Sequence, residues 1–140
     1  MKRVIACFAF LVLISCGSAT KTVAVKPLYE VLTEQSDGGG NICFFEILSE
    51  ASEIKMLESD ENLRKKIAPG DINTSNFIIL NMGEKKSGGY LIKVKNVEET
   101  ADKIIVTVTE QEPKGEMASS EVSYPYTIVK INSKKNIVIK

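Results

Sequence analysis

The 140-residue sequence contains no histidine and no tryptophan, only three cysteines and four prolines, and 6% aromatic residues. Without histidine it lacks the usual base for a serine or cysteine nucleophile and the commonest protein ligand for transition metals. It also lacks an excess of charge. The 18 Lys+Arg are balanced by 18 Asp+Glu, which argues against nucleic acid as a partner. What is present suits one modest globular domain, with 44% hydrophobic and 26% charged residues.

Part of that hydrophobic fraction is an N-terminal block. Lys2 and Arg3 precede Val4 to Ile14, an uncharged run of 11 residues that would extend only about 16 Å as a helix. A bilayer core needs about 30 Å, so the run reads as the apolar region of an export signal rather than as a membrane span. It ends in Leu13-Ile14-Ser15-Cys16, which resembles the bacterial lipobox. That resemblance implies removal of residues 1–15 and lipidation of Cys16, whose thiol accepts a diacylglyceryl group, so that the new terminus carries several fatty acyl (palmitate-type) chains. Several chains anchor far more durably than one, at about 0.8 kcal/mol per buried CH₂. Residues 16–26 then form the lipidated terminus and a polar tether, and residues 27–140 a single folded domain. No acidic residue lies in Gly17-Ser18-Ala19-Thr20, which tilts the expected location towards the outer membrane of the cell envelope. Cys7 leaves with the signal and Cys16 is acylated, so Cys43 has no intrachain partner and no disulfide framework is expected.

In the remainder, Leu28 to Thr33 reads as a first strand, Ser36 to Asn41 with its three glycines as a turn, and Ile42 to Leu48 as a second strand. Ser49 to Ile67 is the one helical segment, capped by Ser49, interrupted at Ser59-Asp60 and closed by Pro69-Gly70. From Asn76 onward five strands are expected: Phe77 to Met82, Tyr90 to Val97, Lys103 to Thr109, Tyr126 to Ile131 and Ile137 to Ile139. Phe77-Ile78-Ile79-Leu80 lacks alternation and is placed centrally, whereas Ile104, Val106 and Val108 share one face opposite Thr107 and Thr109. Pro125 has no N–H for a ladder and belongs at a strand entrance or edge. The predicted fold class is α+β, a mainly antiparallel sheet of six or seven strands in a meander, with the helical segment packed on one face.

Candidate chemistry is sparse. Cys43 lies in an apolar strand and reads as core. The acidic pairs Glu98-Glu99, Asp60-Glu61 and Glu110/Glu112 sit in polar stretches and read as solvated charge. Asp37 with Asn41, and Asp71 with Asn73, offer oxygen ligands without the spacing of a calcium loop. Ser87-Gly88-Gly89 lacks the length and the lysine of a phosphate loop, and it precedes a strand rather than a helix. No catalytic residue, metal site or cofactor is expected.

The pattern that stands out is spread over the C-terminal half: Phe77 to Gly83, Ser87-Gly88-Gly89-Tyr90 to Val94, Ile104 to Val108 with Pro113, and Ser123-Tyr124-Pro125-Tyr126 to Val129. It resembles the C-terminal domain of the PrcB family, lipoprotein-type accessory subunits of a surface subtilisin-like protease complex in spirochaetes, also found as small stand-alone lipoproteins. The resemblance covers roughly residues 70–131. It implies a non-catalytic, membrane-tethered module that binds an exported subtilisin-like protease or another envelope protein. It carries no active site to transfer. Gly88, Gly89, Tyr90, Pro125 and Tyr126 match the family pattern, and with Ser87 and Tyr124 they form the candidate partner-binding or fold-defining set. The competing expectation is an envelope lipoprotein that encloses a small ligand against a sheet face.

Overall fold

The computed structural model describes residues 25–115 and 119–140. The seven strands are β1 (Tyr29–Gln35), β2 (Cys43–Leu48), β3 (Asn76–Met82), β4 (Leu91–Glu99), β5 (Lys103–Gln111), β6 (Tyr126–Ile131) and β7 (Asn136–Ile139). Three short helices, α1 (Ala51–Leu57), α2 (Glu61–Arg64) and α3 (Asp71–Thr74), lie between β2 and β3. The signal and lipobox, Cys16 included, lie outside the described residues.

The strands form two sheets, not one meander. The first has the order β1-β6-β3-β2 and the second β4-β5-β7. Only β4 and β5 form the expected hairpin. Residues 83–90 carry the chain from β3 in one sheet to β4 in the other, and β7 pairs parallel to β5. The cause is the burial demanded by β3. Ile78, Leu80 and Met82 need cover on one face while Phe77 needs it on the other, so its sheet is sandwiched between the second sheet and the helices.

Two cores result. Between the sheets lie Ile78, Leu80, Met82, Ile92, Ile104, Val106, Val129 and Ile131, all nearly or wholly inaccessible. Between the first sheet and the helices lie Leu32, Leu48, Ile54, Leu57, Leu63, Ile67, Phe77 and Ile128. Each fully buried aliphatic side chain contributes roughly 1.5–3 kcal/mol. Two bulges keep the right residues inward: one between Val31 and Thr33 turns Leu32 to the helix side, and one between Val94 and Asn96 brings Val97, rather than Asn96, to the inter-sheet core.

The helical segment breaks where Ser59-Asp60 interrupts its pattern. The Asp60 carboxylate caps α2 by accepting from the N–H groups of Asn62 (2.7 Å) and Leu63 (3.2 Å). The cap of α1 is Glu50 rather than Ser49, and Glu53 Oε2 accepts from both Ser49 and Glu50 N–H at 3.0 Å. Cys43 is a further correction: it is exposed, not core, because β2 is the outermost strand and its residues before Leu48 are exposed.

A buried ion group ties the helix layer to the first sheet. Asp71, 1% exposed, opens α3, and its Oδ2 accepts from Lys130 Nζ on β6 at 3.2 Å and from Ala68 N–H at 2.9 Å. Glu30 of β1 meets the same ammonium at 3.0 Å. Burial opposes the Lys130 charge most strongly, yet its hydrogen bonds to Glu30 and Asp71, and their negative charges, together hold the ammonium above the ordinary lysine range.

Candidate functional site

Three loop regions meet at one end of the sandwich: residues 36–42, residues 83–90, and residues 112–115 with 119–125. Backbone pairing locks them. Gly39 N–H donates to Tyr124 O (2.8 Å), Glu84 N–H to Asn41 O (3.1 Å), Gly88 N–H to Ser119 O (3.2 Å), and Lys85 and Ser123 exchange both of their hydrogen bonds (2.9 and 3.0 Å). Beneath them Asn81, 1% exposed, closes the glycine turn. Its amide nitrogen donates to Gly40 O (2.9 Å) and Ile42 O (2.5 Å), and its amide oxygen accepts from Gly40 N–H (3.0 Å). A side chain on Gly39 would collide with the Asn81 amide oxygen and stand 2.8 Å from Tyr124 O, so glycine is required there by close approach.

The two sequence segments singled out, 87–90 and 123–126, are thereby brought together. Ser123 Oγ donates to the Ser87 carbonyl at 2.7 Å. Gly89 has φ +90°, and a Cβ there would stand 2.7 Å from Pro113 Cβ; one on Gly88 would meet Ser119 Oγ at 2.5 Å. Pro125 stands immediately before β6, and its carbonyl accepts from Met82 N–H at 3.0 Å.

The tyrosines part company. Tyr90 packs on the inter-sheet core with Lys85 Nζ 5.5 Å from its ring centroid, and Tyr126 packs on the helix-side core. The Tyr124 hydroxyl instead donates to Glu84 Oε2 at 3.2 Å on the loop surface, while its N–H donates to Asp37 Oδ1 at 3.0 Å. The Glu84 hydrogen bond, aided by partial desolvation and the charges of Glu84 and Asp37, raises its phenol above the usual tyrosine value. A cleft of about 180 Å³ beside it is lined by Ser36, Asp37, Gly88, Ser119, Glu121, Val122 and Ser123.

Chemically this end is a clamp with a small polar surface. Ser123 Oγ is committed to a backbone carbonyl, and the chain has no imidazole to activate any hydroxyl. Among the described residues no cluster of three or more potential metal ligands converges, and no helix is long and apolar enough to cross a membrane. Asn81 and Lys130 escape the sequence reading, and Asp71 figures there only as an oxygen ligand beside Asn73, although an amide inside FIILNM and a lysine inside YTIVKI are each polar residues in otherwise apolar strands. Thr127 is a third case: wholly buried, it donates to Ile92 O at 2.6 Å and joins the two sheets.

Residues 76–132 match the PrcB C-terminal family. The PrcB C-terminal match runs from the start of β3 to just past β6, so it holds the central strand pair of the first sheet, the β4–β5 hairpin and both loop segments described above. An uncharacterized protein of Methanocaldococcus jannaschii, MJ1373, is 39% identical over 64 residues, 46% of this chain and 39% of that protein. The chain thus spans well under half the length of that relative. No solved structure matches it.

Proposed function

We propose that the protein is a non-catalytic accessory subunit, anchored to the cell envelope through lipid on Cys16, that binds an exported protein, a subtilisin-like protease being the leading candidate. The observation that carries this reading is the convergence of Ser87 to Tyr90 and Ser123 to Tyr126 in one locked loop cluster within the PrcB C-terminal segment. Rigid loops on a sandwich end are suited to presenting a surface without conformational cost on binding. Tyr124 is the residue at this surface with both an aromatic face and a fixed polar tip, the composition of a binding hot spot. Ser87, Gly88, Gly89 and Pro125 shape the cluster, while Tyr90 and Tyr126 fix it to the two cores. The lipobox supports the anchor, and the absence of histidine supports the non-catalytic role.

The test is crosslinking of the lipidated protein in its native envelope, followed by peptide identification. Tyr124→Ala and Val122→Asp, the latter at a position 49% exposed, should lower recovery of the partner at least about tenfold with thermal unfolding unchanged. Gly89→Val serves as the fold control, because its φ and the Pro113 contact make it a lesion in the hairpin. Undiminished capture by both surface variants would move the site elsewhere. A stoichiometric small ligand in native mass spectra would favour the envelope ligand binder. A Cys16→Ser chain that still fractionates with membranes would contradict the lipid anchor.

A further inference from the structure

Among the described residues the outer edge of β2 is the least guarded sheet edge, with Glu46 as its single charge and no bulge. Natural edges are blunted by charge, bulges, proline or shortness. Of the other three, β1 carries Glu30, Glu34 and a bulge, β4 carries Lys93, Lys95 and a bulge, and β7 has four residues. In contrast β2 is unbulged and contains Cys43, Phe44, Phe45, Glu46, Ile47 and Leu48, with Phe44, Phe45 and Ile47 39%, 42% and 36% exposed. Among the described residues it pairs with β3 alone.

The direction of its backbone groups follows from the register. Met82 N–H donates to Pro125 O, so even-numbered residues of β3 turn towards β6 and odd-numbered ones towards β2. Phe44 opposes Asn81, Glu46 opposes Ile79 and Leu48 opposes Phe77. These three residues of β2 therefore bond to β3. Cys43, Phe45 and Ile47 point their N–H and C=O groups outward.

We propose that this edge pairs with β2 of a second copy, antiparallel, about a two-fold axis through Phe45. That register sets Phe45 against Phe45, and Cys43 against Ile47 in both directions, so every outward N–H and C=O of Cys43, Phe45 and Ile47 finds a partner within the strand. Centring on Phe44 or Glu46 instead leaves Ile47 or Cys43 to bond beyond the strand end, and centring on Glu46 also opposes two like charges. The axis is perpendicular to the sheet, so the inter-sheet face of both copies stays on one side. Phe45 and Ile47 keep part of their side chains exposed on that face, and Ile47 shares an open cleft with Asn136 and Ile137 of β7. The result is a continuous eight-stranded sheet with an isologous, self-complementary seam. This inference is independent of the partner reading above.

Sedimentation of the exported full-length protein in density-matched dilute detergent should show a concentration-dependent dimer. Phe45→Lys should weaken it at least about tenfold with unfolding unchanged, and Val31→Lys on the other edge should leave it intact. Register is read with Ile47→Cys. Facing residues of a hydrogen-bonded pair lie about 5.5 Å apart at Cα, within disulfide reach. Mild copper–phenanthroline oxidation in air should link Cys43 of one copy to the new thiol at position 47 of the other, identified by peptide mass. A monomer up to roughly millimolar concentration, a dimer indifferent to Phe45→Lys, a crosslink in another register, or a β2 edge occupied by a foreign strand would each overturn the proposal.

Discussion

Strands β2 and β3 are hydrogen-bonded neighbours of similar character, CFFEIL beside NFIILNM, with opposite fates. Phe77 is wholly buried while Phe45 is 42% exposed. Intrinsic apolarity does not separate them; place in the sheet order does. β3 has β6 and β2 on its flanks, the second sheet on one face and the helices on the other, whereas β2, among the described residues, has a partner on one flank only. Apolar sequence on an open edge is surface, and surface of that kind marks contact with another chain.

The largest effect that could break this comparison is a paired truncation. Phe77→Ala should cost about 3–5 kcal/mol in urea unfolding, and Phe45→Ala within about 1 kcal/mol when the protein is dilute; equal losses would mean that β2 is as buried as β3. Next in size is the ion group beside the central pair. Asp71→Ala should cost about 3 kcal/mol by leaving Lys130 buried with Glu30 alone, and adding Lys130→Met should recover much of that loss.

A smaller effect is alkaline. The Lys130 ammonium binds its proton more tightly in the folded state than in the unfolded chain, where the reference value is 10.5. Its contribution is therefore complete below that value and lost as pH rises through the folded one. Stability should decline on that alkaline limb, and Lys130→Met should flatten it, as measured by unfolding at fixed ionic strength. Smallest is Cys43→Ser, expected to change stability by less than about 0.5 kcal/mol. The Cys43 thiol should also accept maleimide in the native state, which peptide mapping would show.

The seven strands described were legible from alternation, apolar runs and breakers, and Phe77-Ile78-Ile79-Leu80 was legible as central because it lacks alternation. The helix break at Ser59-Asp60 was legible because Asp60 prefers a cap to a helix interior. Strand partners were not. Nothing local in CFFEIL distinguishes an edge from a centre, so Cys43 reads as core until β2 is seen to be outermost. The parallel return of β7 and the crossing at 83–90 are long-range choices made by the burial of β3 and β4 together. At the loop end, the need for glycine at 89 was readable as positive φ or close approach, and both hold. The parting of Tyr90, Tyr124 and Tyr126 was not readable, since each ring's destination depends on which of the two cores lies beside it.

The most direct test of the open edge is residue-resolved amide hydrogen exchange across β2 and β3 in dilute protein. Alternation is predicted in β2, with Phe44, Glu46 and Leu48 slow and Cys43, Phe45 and Ile47 fast, while β3 is slow throughout. Uniform protection along β2 at a concentration where the protein sediments as a monomer would contradict the account.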